Sequence, residues 1–194
     1  MRRIRSLLAA FLLAIPAMGL GSLPAVAAVK TATIEFGSYP SIARADNGDT
    51  VELAGEGTFT LQPKSIDGDA PRIAAAFGVV PRTFTHRDAG GNVLAQGTWE
   101  PTAVLSYRSF GPATEEQSAE FGGLPPGTEG GKVTMKVALL VGGVHVANGI
   151  ITIVCLLGVP PANSEEATLL LVQDTGLNFN QPLSSDNVFL RHVS

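Results

Sequence analysis

The chain has 194 residues, a formal net charge of −4 and a single cysteine, Cys155. A lone cysteine excludes an intramolecular disulfide, so the fold must stand on its apolar core. The acidic balance argues against nucleic acid and anionic lipid as partners. Charged residues make up only 15% of the chain, against 22 glycines and 13 prolines, a composition that fits many strands joined by tight turns better than helices.

In chain order, the first signal is an export leader. Met1-Arg2-Arg3-Ile4-Arg5 is basic, Leu7 to Ile15 is apolar, and Ala25-Val26-Ala27 is an A-x-A-like site. These three parts predict a secretory signal peptide over residues 1–28, cleaved before Ala28 or Val29. The apolar run is shorter than the ~20 residues that a bilayer span requires, and Pro16, Gly19 and Gly21 interrupt it. No cysteine lies near the cleavage point to carry a lipid. The expectation is a protein secreted or held in the periplasm or cell envelope, with no integral membrane span. Loss of Arg2, Arg3 and Arg5 takes the net charge from −4 to −7. It leaves one β-rich domain over residues 29–194, about 166 residues, the size of a single domain.

Ten strands are predicted within it: 30–36, 50–61, 73–80, 82–87, 93–99, 102–110, 132–141, 144–157, 167–173 and 187–192. Turn chemistry separates most of them, as in Asp46-Asn47-Gly48-Asp49, Ala89-Gly90-Gly91-Asn92 and Gly142-Gly143. Glu100-Pro101 reads as a bend between two strands. Thr114-Glu115-Glu116-Gln117 fits a capping box and predicts a helix of about two turns. The fold class is all-β, an antiparallel barrel of about eight to ten strands, with a β-sandwich as the alternative.

Two hairpins can be read in register. A Gly142-Gly143 primed turn pairs Val141 with Val144, Leu139 with Val146 and Met135 with Ile150. Val133, Met135, Val137, Leu139, Val144 and Val146 then form a core face, with Lys132 and Lys136 outside. Gly149 is the expected position of a bulge. Beyond it the strand is apolar on both faces and needs cover on both, from a closed barrel, a sandwich or a second subunit; a homo-oligomer through this strand is one expectation. Within it, Cys155 reads as a small buried apolar side chain; a reactive thiol or intermolecular bridge is the alternative. The second hairpin pairs Asp88 with Val93, His86 with Ala95, Phe84 with Gly97 and Arg82 with Trp99, the Phe84 ring covering the bare glycine.

That register gathers Arg82, His86 and Trp99 on one apolar face, with Tyr107 and Arg108 on the next strand as further candidates. A cation and an imidazole beside a large aromatic suit a ligand cavity; the alternative is that Arg82 and His86 snorkel at strand ends. Glu100 is a weaker candidate acid or base. The turns around Asp46–Asp49 and Asp67–Asp69 resemble calcium loops only superficially and read as Asx turns. No zinc, phosphate-loop or nucleophile-elbow motif occurs in the sequence, so neither cofactor nor metal is expected.

The stretch Thr85-His86-Arg87-Asp88-Ala89-Gly90-Gly91-Asn92-Val93, with Gly97-Thr98-Trp99 and Gly176-Leu177-Asn178-Phe179-Asn180, resembles small secreted bacterial β-proteins of unknown function. In strand count and length the chain is similar to the barrels of allene oxide cyclases and dirigent proteins. The resemblance implies a barrel and no particular chemistry. The functional expectation is an exported barrel that binds a small apolar or neutral ligand. The alternatives are an isomerase- or cyclase-like enzyme in an apolar barrel, and a structural or assembly protein of the envelope.

Overall fold

The computed structural model describes residues 32–62 and 64–192; the signal peptide expected over residues 1–28 lies outside them. Nine strands run in chain order as β1 (Thr33–Ala45), β2 (Thr50–Leu61), β3 (Lys64–Asp67), β4 (Thr83–Arg87), β5 (Val93–Pro112), β6 (Thr128–Val141), β7 (Val144–Cys155), β8 (Ala167–Val172) and β9 (Leu177–Arg191). Two short helices interrupt them, α1 (Pro71–Phe77) and α2 (Glu115–Glu120). All pairings are antiparallel, and β1 bonds both β9 and β2. The order β1-β9-β8-β7-β6-β5-β4-β2 therefore closes on itself as an up-and-down barrel of eight strands, with β3 attached to the end of β2. Closure removes the exposed sheet edges that an open sheet would present.

Side chains fill most of the interior. Trp99 is 1% exposed and stacks on Phe36 at a centroid distance of 6.4 Å. Its indole N–H donates to the Ala54 carbonyl at 2.8 Å, so the one polar atom of this large side chain is satisfied where it is buried. A Cβ on Gly55 would overlap the indole ring; only glycine lets the β2 backbone pass so close. Ile34, Phe59, Val133, Met135, Val137, Ile151, Ile153 and Phe189 complete the middle of the core. A buried polar chain crosses beside them: Ser38 Oγ lies 2.7 Å from Thr168 Oγ1, which donates to Asn187 Oδ1 at 2.9 Å. The Asn187 amide donates in turn to the Val154 and Ala167 carbonyls.

Most predicted strands are present, and the departures have local causes. Residues 73–80 do not form a strand: Pro71 at the first helical position and Ala74-Ala75-Ala76 start α1 instead. The Glu35 carboxylate, fully buried, accepts the Arg72 and Ile73 amides at 2.7 and 2.9 Å and holds that helix on the outside of β1. Residues 93–112 make one strand rather than two, and Pro101 sits at a register shift that absorbs its missing N–H. β9 begins ten residues before its predicted start at Asn187, because the alternation of Leu177 and Phe179 with asparagines is broken after Asn180 by Gln181-Pro182 and the polar residues from Ser184 to Asp186.

Each hairpin carries one bulge that the expected register lacks: beyond Gly142-Gly143 the register slips by one residue, whereas in β4–β5 the slip lies beside the turn and the register beyond it is as read. Gly142 and Gly143 take φ of 58° and 79°, as a primed turn requires. Val141 pairs with Val144, but Leu139 pairs with Ala147 and Met135 with Ile151, leaving Val146 as a bulge residue. Met135, Val137 and Leu139 are buried as predicted, whereas Val144 and Val146 are 66% and 54% exposed. Gly149 carries no bulge; it makes room for Leu170, whose Cδ1 would lie 2.9 Å from a Cβ there. In β4–β5, His86 pairs with Ala95 and Phe84 with Gly97 as read, and the Phe84 ring lies over Gly97. Val93 pairs with Arg87 rather than Asp88, which makes Leu94 the extra residue and turns Val93 outward. On the two-sided apolar strand, Val154 packs against Phe110 and Ala167, so cover comes from within the chain. No helix among the described residues is long and apolar enough to cross a membrane.

Candidate functional site

The four turns at 46–49, 88–92, 142–143 and 173–176 share one end of the barrel, as the pairings of Thr50 with Arg87, Ala45 with Phe179 and Gly149 with Val172 require. There the packing stops short of the rim and leaves a cavity of about 160 Å³. Val51, Phe84, Leu139, Leu170, Leu177 and Phe179 supply most of its wall, and His86 and Thr175 are its only polar side chains. His86 Nε2 lies 3.1 Å from Asp49 Oδ2, and the imidazole meets the Phe179 ring edge-on at 5.2 Å. Asp49 reaches this place because Asn47 Oδ1 accepts its backbone N–H in an Asx turn and Gly48 adopts φ 91°. An imidazole whose ring orientation is set by a carboxylate, on an otherwise apolar wall, can hydrogen-bond one polar atom of a ligand whose remainder is apolar.

Of the predicted cluster, only His86 lines this cavity. Trp99 belongs to the filled core below it. Arg82 turns its guanidinium to the Gly68 carbonyl at 3.0 Å, as a snorkelling side chain does. Tyr107 sits toward the opposite end, edge-on to Phe59 and Phe189, and its hydroxyl donates to Glu129 Oε1 at 2.5 Å. Burial, together with that bond, pushes the Tyr107 hydroxyl far above its ordinary range, and Arg191 Nε at 2.8 Å balances the Glu129 carboxylate. This is a satisfied structural network. Arg108 lies on the outer surface beside Lys132, in a groove of about 360 Å³ under residues 161–165. Alternation along β5 explains the split: Tyr107 points inward and Arg108 outward.

A second and larger recess went unread in the sequence. It is a half-open cleft of about 610 Å³ on the barrel flank, between the end of α1, helix α2, residues 155–157 and residues 185–188 of β9. The capping box builds one wall. Thr114 and Gln117 exchange both of its bonds, and Gln117 also holds the Gly158 backbone through its amide oxygen and nitrogen at 2.9 and 3.2 Å. Phe77, Phe121, Leu124, Leu156, Leu157 and Val188 are the apolar lining; Tyr39, Glu120, Glu166 and Asp186 are among the polar members. Glu166 accepts the Leu156 amide at 2.8 Å and the Asn187 amide at 3.0 Å. Burial, with the negative charge of Asp186 adding to it, raises its carboxyl from 4.5 to about 7. Cys155, 1% exposed, borders the cleft with its thiol pushed up by burial to about 12, the condition of an inert buried thiol. Nothing but a polar loop marks Glu166 in the sequence; its partners come from segments 10 and 21 residues away.

Among the described residues no group of three or more His, Cys, Asp and Glu side chains is placed to hold a metal ion. No protein-family model matches the chain, and no curated protein or solved structure matches it.

Proposed function

We propose that the chain is an exported binding barrel whose ligand is a small apolar or neutral molecule held at the barrel mouth. The observation that carries this is the mouth cavity: in a barrel otherwise filled by side chains, about 160 Å³ between apolar walls is left open beside one carboxylate-oriented imidazole. Space of that size and polarity suits a single aromatic ring, since engineered apolar cavities of about 150 Å³ take up benzene. The basic, apolar and small-residue parts of the N-terminus support export. The His86–Asp49 pair also favours a second reading, an isomerase- or cyclase-like enzyme, because a positioned imidazole is what proton transfer needs.

The test is an NMR titration of the protein with toluene and p-cresol. Expected are shifts of the Leu139, Leu170 and Leu177 methyl signals, with p-cresol binding weakened about fivefold by His86→Ala and toluene binding little changed. Absence of binding, or shifts confined to other parts of the barrel, would overturn the mouth as the site. Chemical conversion of a bound probe that His86→Ala abolishes would favour the enzyme.

A further inference from the structure

We infer that the flank cleft is a second binding site, separate from the mouth, and that it takes an organic cation: an ammonium group carried on an apolar body. Its volume of about 610 Å³ is that of a small-molecule site. Its charge is one-sided, for Glu120, Glu166 and Asp186 line it and, among the described residues, no lysine, arginine or histidine does. Glu166 is held in place by two backbone amides and has no cationic partner among the described residues, and its raised affinity for a proton is the signature of a partly buried carboxylate left uncompensated. A ligand cation would supply the missing charge.

The walls suit the rest of such a molecule. Tyr39 and Phe77 meet edge-to-face at 6.5 Å, and Phe121 stands 64% exposed at the rim; aromatic faces attract ammonium groups as well as apolar chains. The Tyr39 hydroxyl is shut off from solvent and makes no hydrogen bond among the described residues, so Tyr39 contributes its ring rather than its oxygen to the wall. An anionic ligand would meet carboxylates with no counter-charge. A neutral one would leave Glu166 and Asp186 as they are.

The experiment compares three molecules with the same eight-carbon chain, octylammonium, 1-octanol and octanoate, by calorimetry at pH 8 with methyl NMR to locate them. Expected is octylammonium at least tenfold tighter than octanol, octanoate undetectable, and signals of Leu156, Leu157 and Val188 moving while Leu139 and Leu170 at the mouth stay still. Glu166→Gln combined with Asp186→Asn should bring octylammonium down to the level of octanol without loss of octanol. The comparison on the native protein decides the matter even if that variant does not fold. Equal binding of octanol and octylammonium, any preference for octanoate, or no binding at the cleft would each overturn the assignment.

Discussion

Asp49 and His86 join a turn to a strand 37 residues away: Asp49 Oδ2 in the β1–β2 turn lies 3.1 Å from His86 Nε2 on β4. Both side chains are mostly buried, at 14% and 20% exposure, so the bond ties the rim of the mouth together where solvent screens it only in part. Asp49→Ala should cost about 1 kcal/mol of stability and lower the melting temperature by a few degrees, with a matching loss of p-cresol affinity. An unchanged melting curve together with unchanged affinity would show that the pair neither braces the rim nor positions the imidazole.

Trp99 is core and not part of the mouth lining. Trp99→Phe removes volume and strands the Ala54 carbonyl, and should destabilise the barrel by about 2–3 kcal/mol in urea unfolding. Because the indole is 1% exposed, its fluorescence should be blue-shifted in the native protein and nearly unmoved by a ligand at the mouth. A red-shifted, quencher-accessible native spectrum would contradict this placement.

The bulge in β7 yields a paired test. Val137→Asp buries an unpaired charge at a site 1% exposed and should cost more than about 4 kcal/mol, enough to unfold the domain. Val146→Asp, at a site 54% exposed, should stay within about 0.5 kcal/mol of the native protein. Circular dichroism melts of the two variants check both, and comparable losses would mean that the strand pairs without the bulge.

Glu166 makes stability depend on pH in an unusual direction. Its carboxyl in the folded protein titrates near 7, above its ordinary 4.5. Between those values the folded state holds a proton that the unfolded chain gives up. The contribution is therefore fully present below pH 4.5 and is lost as pH rises through 7. Partial solvent access reduces the effect to on the order of 1 kcal/mol. Glu166→Gln loses one backbone contact but should flatten the slope across this window, and unfolding at pH 4.5, 6 and 8 measures it. A variant with the native slope would assign the proton to another group.

Most strands and turns were legible because their signals are local. Thr50–Leu61 declares itself as a strand by composition, the turn at 142–143 by its two glycines, and the helix after Thr114 by its capping box. The single-residue slips at Leu94 and Val146 were not, because a bulge is decided by packing across strands rather than by the turn residues themselves. His86 was found because the register near it holds. The cluster around it dissolved because Arg82 found the Gly68 carbonyl, and Trp99 the Ala54 carbonyl, in segments that no pairing rule connects to them.

By itself, the sequence determined an acidic, disulfide-free, strand-rich domain, the turns that connect its strands, and which face of most strands is apolar, since each of these depends on residues within one or two turns of each other. Only the tertiary structure decided that eight strands close into a ring, that the interior fills except at the mouth, and that Glu166 stands without a counter-charge beside Asp186. Those outcomes depend on through-space packing and on burial, which raises the cost of an unpaired charge, and neither is a property of neighbouring residues along the chain.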